Sequence, residues 1–292
     1  MSICYKIADC LIAIEGNGIA AMETLQGFYV FRANHEIFAP FVFHLEYAKP
    51  EPYLGEPYFR AQTQDTICLL YKDIHGYGLE IRQNETLQLS LHYNRSEQKH
   101  YIRGNLIPPF LRYALWIAFN LSTVRSGSVA VHSSAVVCQG KAILFLGESG
   151  TGKSTHTRLI CQKFPAVELL NDDSPIIKIE KGKCMVYGSP WSGKTACYRD
   201  IKVELGGVVR LHQAEANKIS LLSLHQAIGS LLPSFPPELY MCSELQPKVL
   251  DLISEIIEHV PIYSLHCFPD ETAADLSVNT VIGSCLHGTN RQ

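Results

Sequence analysis

Long apolar runs are missing from this chain of 292 residues. No stretch of about eighteen consecutive apolar residues occurs, so no membrane-spanning helix and no membrane partner are predicted. The opening MSICYKIADCLIAIEGNG has no basic segment ahead of its apolar residues and carries acids within them, which argues against a secretory leader. An excess of one charge is also missing. Lys and Arg number 25 against 28 Asp and Glu, and the formal net charge of -3 argues against a sequence-blind nucleic-acid binder, so no nucleic-acid partner is expected. No CxxC pair occurs among the ten cysteines, which removes a zinc ribbon and a thioredoxin-like motif. The cysteines are scattered singly from Cys4 to Cys285, and Cys138 and Cys184 read as small buried hydrophobes in strands. A secreted disulfide framework does not suit so long a chain, and a reducing cytoplasm is the expected compartment. Repeats and low-complexity tracts are absent too. What remains is an ordinary globular composition, long enough for one large domain or two smaller ones.

The first hundred residues are rich in strand signals. ICYKIADCLIAIEG, GFYVFRA, EIFAPFVFHLEYA, TICLLYKDI, GYGLEIRQ and TLQLSLHYN alternate apolar with polar residues or carry β-branched and aromatic ones. Gly16-Asn17-Gly18, the stretch from Pro50 to Pro57, and Asn84-Glu85 punctuate them. These features predict a smaller, mostly antiparallel β domain over residues 1–96, bounded by the polar NRSEQKH. The period then changes. Pro109 suits a helix start and Leu111, Leu115, Ile117 and Ala118 share a face, predicting a helix over 109–123 within a connection of 97–127.

A second domain is expected over 128–292. It opens with SVAVHSSAVVCQGKAILFLGESG, two apolar strands joined at Gln139-Gly140, which is a hairpin signal. The strand entering the glycine-rich loop is thus reached from an antiparallel neighbour. Further along, the pattern predicts a helix over 153–163, a short strand VELLN, and a hairpin PIIKIE-KGK-CMVYG turning at Gly182. Strands over 205–211 and 218–223, helices near 222–232 and 236–258, a strand IYSLHC and a closing helix over 271–284 complete it. The fold class is α/β with an α+β leaning: a larger domain on a mixed sheet, preceded by the smaller β domain.

Gly147-Glu148-Ser149-Gly150-Thr151-Gly152-Lys153-Ser154 satisfies G-x-x-x-x-G-K-[ST], the Walker A pattern, in full. Glycines let consecutive backbone N–H groups turn inward at phosphate oxygens. The following helix offers its positive end to the same anion. Residues 147–154 together with Thr155 are therefore the expected nucleotide contacts. Lys153 is placed on the β- and γ-phosphates and the Ser154 hydroxyl on magnesium, so ATP and Mg2+ are the implied cofactors. Asp172-Asp173 closes a short apolar strand at a spacing suited to a metal-binding acid. Asp172 is the candidate metal ligand, and Asp173 the candidate acceptor of a proton from an attacking hydroxyl. The same NDDSP also makes an ordinary Asx turn. His132, read as part of the strand before the hairpin, is either a structural histidine or one that orients a phosphate or an acid. The stretch Gly188-Ser189-Pro190-Trp191-Ser192-Gly193-Lys194 combines an aromatic, two hydroxyls and a lysine, a composition suited to closing over a substrate or nucleotide. Arg199 and Arg210 are both candidates for transition-state charge, and the sequence does not choose between them.

VHSSAVVCQGKAILFLGESGTGKST followed by NDDSP resembles the catalytic domain of the HPr kinase/phosphorylase family, which shares its phosphate-binding core with ATP-dependent phosphoenolpyruvate carboxykinase. The resemblance covers residues 128–212. It implies that His132, 21 residues before Lys153, matches the family's upstream histidine. It likewise implies that Lys153 and Ser154 are the phosphate lysine and the magnesium-ligating hydroxyl, and that Asp173 deprotonates a substrate serine. Two features depart from the family. Its glutamate metal ligand, set in a Glu-Ile-Arg-Gly stretch, has no counterpart within 188–204, and its C-terminal signature for phosphorolysis is not recognisable, so that reaction is not carried over. The chain is more similar to divergent members that include kinases of small peptides. The implied activity is transfer of a γ-phosphoryl group to a hydroxyl, the implied partner a protein or peptide acceptor, and the implied assembly a homo-oligomer. Two alternatives stand beside it: an ATP-binding or ATP-hydrolysing module whose β domain grips a partner, and a small-molecule kinase acting on free serine or a sugar. A carboxykinase is disfavoured because no set of basic residues for a dicarboxylic substrate is recognisable.

Overall fold

The computed structural model describes residues 2–33, 38–193 and 195–283, so Lys194 and Cys285 lie outside the described residues. In chain order the first strands are β1 (Ser2–Ile7), β2 (Cys10–Glu15), β3 (Phe41–Glu46), β4 (Phe59–Thr63), β5 (Thr66–Lys72), β6 (Gly76–Gln83), β7 (Thr86–Asn94) and β8 (Lys99–Gly104), followed by helix α1 (Pro108–Thr123). Next come β9 (Ser128–Ala130), β10 (Ser133–Cys138), β11 (Lys141–Leu146), α2 (Lys153–Lys163), β12 (Glu168–Asp173), β13 (Ile176–Glu180) and β14 (Lys183–Tyr187). The chain continues through β15 (Lys202–Gln213), β16 (Lys218–Leu221), α3 (Leu224–Leu231), α4 (Pro237–Tyr240), α5 (Gln246–His259), β17 (Ile262–Cys267) and α6 (Glu271–Ile282). The fold is mixed α/β on two mixed sheets. Among the described residues no helix is long and apolar enough to cross a membrane.

Two compact units divide the chain: Met1–Ser126 with Pro237–Pro247, and Gly127–Pro236 with Lys248–Gln292. The first holds an eight-stranded sheet in the order β1-β2-β3-β8-β7-β6-β5-β4. Its neighbours are antiparallel except β2–β3 and β3–β8, which run parallel. Three sequence expectations change here. NRSEQKH is the turn of the β7–β8 hairpin, with the Asn94 carboxamide oxygen accepting from the Ser96 N–H and hydroxyl at 3.0 and 2.7 Å. The strand after it pairs back with β7 and β3, so the unit does not end at 96 and takes in α1 as well. GFYVFRA is not a strand but part of a 3-10 helix over Gln26–Phe31, in which Phe28 and Phe31 are buried while Tyr29 and Val30 face solvent. That three-residue spacing suits a 3-10 turn and defeats a two-residue alternation. The span 236–258 is two helices, not one. Pro247 sits in the first turn of α5, where its missing N–H is tolerated, and it could not sit inside a continuous helix. The segment between returns to the first unit. Tyr58 and Tyr113 donate to the Glu238 carbonyl and carboxylate at 2.8 and 2.7 Å, and Glu244 pairs with Lys72 and Arg95 at 2.8 Å each and with Arg125. Burial pushes the Glu238 carboxyl up, whereas three cations hold Glu244 down at about 2.

The second unit is built on strands ordered β12-β10-β11-β15-β14-β13-β9. Strand β15 is long enough to serve two neighbours in turn: Lys202 to Glu204 pair antiparallel with β14, and Val208 to Gln213 pair parallel with β17. Phe145, Val209 and Leu265 from the sheet and Ile160, Ala274 and Val278 from α2 and α6 share one buried core. Strand direction decides which ends come together. β11, β15 and β17 run parallel, β10 is antiparallel to β11, and β12 is antiparallel to β10. The carboxyl ends of β12, β11, β15 and β17 and the amino end of β10 therefore meet along a single sheet edge, where open α/β sheets commonly place ligands.

Candidate active site

At the middle of that edge, β11 runs into the glycine-rich loop and the loop into α2, as the residue pattern predicts. Gly150 and Gly152 have φ of 84° and 105°, left-handed values that suit glycine and free the loop to curl. The Gln139-Gly140 turn also has positive φ at both residues, 50° and 76°, the signature of a tight two-residue hairpin. Register in that hairpin pairs Ser134 with Phe145, which puts the start of β10 beside the exit of β11. His132 differs from its expected place. It lies not in a strand but in the bend between β9 and β10, its N–H donated to the Ser234 carbonyl at 2.7 Å.

β12 flanks β10 on the other side, with Ser134 opposite Asp172 and Ser133 opposite Asp173. The two acids meet different surroundings. Asp172 is only 5% exposed; its Oδ1 accepts from the Ser134 hydroxyl at 2.6 Å, and its Oδ2 is buried with no hydrogen-bond partner among the described residues. The Asp173 side chain keeps 34% of its surface open and its Oδ1 lies 3.3 Å from His132 Nδ1. The ammonium of Lys153 is 3.1 Å from His132 Nε2 and donates to the Gly147 and Glu148 carbonyls at 2.8 and 3.2 Å. A charged Lys153 can only donate, so Nε2 accepts and His132 carries its proton on Nδ1, facing Asp173. Burial depresses the Lys153 pKa, Asp173 and Asp172 oppose that, and Arg210 adds to it.

Asn171 is the residue that sequence reasoning missed. It is fully buried, and its Oδ1 accepts from the N–H groups of Asp173 and Ser174 at 3.0 and 2.8 Å. That is an Asx turn, and it coexists with the acid pair instead of competing with it. The Asn171 amide donates to the Ser189 hydroxyl at 3.2 Å and the Trp191 carbonyl at 3.0 Å. NDDSP holds the signal, but the pattern alone does not say which of its residues makes the turn. The loop 188–193 also departs from expectation: Trp191 is 2% exposed and Ser189 is fully buried, so this stretch packs as a fixed wall and not as a flap. A Cβ on Gly193 would sit 2.7 Å from the Asp172 carbonyl, so the loop passes too close for any side chain there.

Ser154, Thr155, Asp172 and Thr195 line one cleft of about 270 Å³ on this side of the loop. A carboxylate with an unpartnered oxygen and a hydroxyl lining the same cleft are hard-oxygen donors of the kind magnesium takes, so the residue types fit that ion. On the other side, Glu148 to Thr151 and Arg210 to Gln213 line a second cleft of about 420 Å³. Here the two candidate arginines separate. Arg199 pairs with Glu168 and donates to the Leu169 carbonyl at 3.0 Å, at the opposite end of β12 from Asp173. Arg210 donates to the Ser230 carbonyl at 3.0 Å and pairs with no carboxylate among the described residues. The sheet edge therefore brings Asp172, Asp173, His132, Lys153, Ser154 and Arg210 around the loop and leaves Arg199 outside.

No family model matches the chain, and no curated protein matches it. Among solved structures, the HPr(Ser) kinase/phosphatase from Coxiella burnetii is 13% identical, with a match covering 52% of this chain and 93% of that one at a TM-score of 0.30. A likeness of that size gives no residue a role.

Proposed function

We propose that the chain is an ATP-dependent phosphotransferase that moves the γ-phosphoryl group to a hydroxyl, with a serine of a protein or peptide as acceptor. The observation that carries this reading is the division of labour between adjacent acids beside a complete Walker A loop: one carboxylate is buried with an unused oxygen, the other is open and tied to a histidine.

In this reading the loop N–H groups and Lys153 hold the β- and γ-phosphates. Ser154 and Asp172 would hold magnesium, which when bound offsets the negative charge of the phosphate oxygens. Asp173 is too open to be a buried structural acid and accepts the proton of the attacking hydroxyl. His132 Nδ1 lies 3.3 Å from Asp173 Oδ1 and the Ser174 hydroxyl donates to Oδ2 at 3.4 Å, so the carboxylate is positioned from both sides and keeps lone pairs for the proton. Positioning and charge do most of the work in such transfers.

Asp173→Asn is the decisive variant. It is expected to lower transfer to a serine peptide by about 10²- to 10⁴-fold while ATP affinity stays within about twofold. Equal loss of binding and transfer would remove the assigned role. Incubating wild-type protein with labelled ATP and a peptide library separates the readings further: label on peptide supports the kinase, and label released only to water supports an ATP-hydrolysing module.

A further inference from the structure

The clefts beside the phosphate loop differ in a way that extends the nucleotide reading, on which this inference rests. A third one, of about 400 Å³, opens from Gly150 to Gly152 of the loop and runs past Thr155 and His156 to Gln213, Ala214, Phe268 and Pro269. We propose that this cleft seats the nucleoside half of a nucleoside triphosphate, with the Phe268 ring stacked on the base.

Three observations converge on it. First, the cleft begins at the loop itself, so a chain of phosphates seated on the loop N–H groups leads directly into it. The smaller cleft on the β12 side contains the Asp172 carboxylate, which repels a polyphosphate unless a cation intervenes. Secondly, Phe268 is 57% exposed yet firmly held. Its N–H donates to Asn217 Oδ1 at 2.9 Å, the Asn217 amide donates to Asp270 Oδ1 at 2.9 Å, and that same oxygen caps α6 by accepting from Ala273 N at 2.8 Å. A large ring kept in water on an anchored backbone is a preorganised platform for a flat apolar partner. Thirdly, His156 is among the residues lining the cleft and carries an unused acceptor. The Ser277 hydroxyl gives its hydrogen to the Ala274 carbonyl at 3.0 Å, so His156 Nε2, 3.0 Å from that hydroxyl, must donate. Burial keeps the imidazole neutral, with its pKa pushed down to about 4. Nδ1 is then a bare lone pair, buried and with no partner among the described residues, and an N–H or O–H of a ligand would reach it once the lining shifts.

The experiment compares ATP with inorganic tripolyphosphate, which offers the same phosphates and no nucleoside, by calorimetry on the full chain. Phe268→Ala should weaken ATP binding about tenfold, as loss of one base–aromatic stack does, and leave tripolyphosphate within about twofold. Phe268→Trp should retain ATP affinity. Unchanged ATP affinity in Phe268→Ala, or equal weakening of both ligands, overturns the proposal. Lys153→Ala guards the underlying reading: loss of both ligands there upholds the phosphate site even where Phe268→Ala has no effect, whereas a wild-type chain that binds neither ligand sinks both.

Discussion

The two flanks of the phosphate loop are chemically opposite. On the β10–β12 side stand two carboxylates, His132 and Ser134: the Ser134 hydroxyl donates to Asp172 at 2.6 Å, and His132 Nδ1 lies 3.3 Å from Asp173. On the β15–β17 side, the strand ends contribute Arg210, a stacked His212–His266 pair with ring centroids 4.7 Å apart, Gln213 and Cys267. Burial first, then the neighbouring His266 and Arg210, hold the His212 pKa below its usual value. The contrast comes from topology. Both flanks end at the same sheet edge, but β10 pairs antiparallel with β11 and β12 on the first, whereas β11, β15 and β17 pair parallel on the second. On the proposed reading, a polyphosphate between them would face the Arg210 guanidinium on one side and the two carboxylates on the other. On that reading, proton transfer and nucleotide binding should be separable by mutation.

The largest effect should come from the residue both flanks share. Lys153→Ala should weaken ATP binding by about 10²- to 10³-fold, the size seen when one preorganised donor to a developing or resident anion is lost. Calorimetry measures it, and a loss below about threefold would show that the loop does not hold phosphate through this ammonium. Next comes the second flank. Arg210→Ala should lower transfer by about 10- to 100-fold, because it removes an unneutralised guanidinium close to Lys153. Arg199→Ala should leave transfer unchanged and cost at most about 1 kcal/mol of stability, as its pair with Glu168 is largely solvated. Equal effects of the two variants on rate would erase the distinction between the flanks.

Much of this architecture is legible in the residues because the turns are chemically explicit. Gln139-Gly140 and Lys181-Gly182 both adopt positive φ, and each pins the register of its hairpin. The Walker A loop and the helix beginning near Pro109 have equally local signals. What could not be read depends on partners distant in sequence. NRSEQKH looks like a boundary until β8 is seen to pair with β3, nearly sixty residues earlier. The break within 236–258 is held by Glu244, whose three cations come from positions 72, 95 and 125. Arg199 and Arg210 are indistinguishable in composition; only Glu168 beside one and the loop beside the other separate them. The Asx turn at Asn171 is visible as a pattern, but choosing which residue makes it needs the buried loop that accepts its amide.

That turn sets the smallest contrast between the flanks. Asn171 uses its whole carboxamide: two backbone N–H groups on its oxygen, and the Ser189 hydroxyl and Trp191 carbonyl on its nitrogen, all without solvent exposure. Gln213 is the amide of the other flank, and it reaches the Gly150 and Thr151 carbonyls at only 3.3 and 3.4 Å from an exposed position. Water can replace what Gln213 gives, but not what Asn171 gives. Asn171→Ala should therefore lower stability by about 1–2 kcal/mol and reduce transfer less than about tenfold, since Asp173 keeps its strand position but loses the turn that fixes it. Gln213→Ala should stay within about 0.5 kcal/mol. Urea midpoints for the two variants check this; a Gln213→Ala loss equal to that of Asn171→Ala would mean that both flanks are braced alike, and that the acid side is not the more rigid of the two.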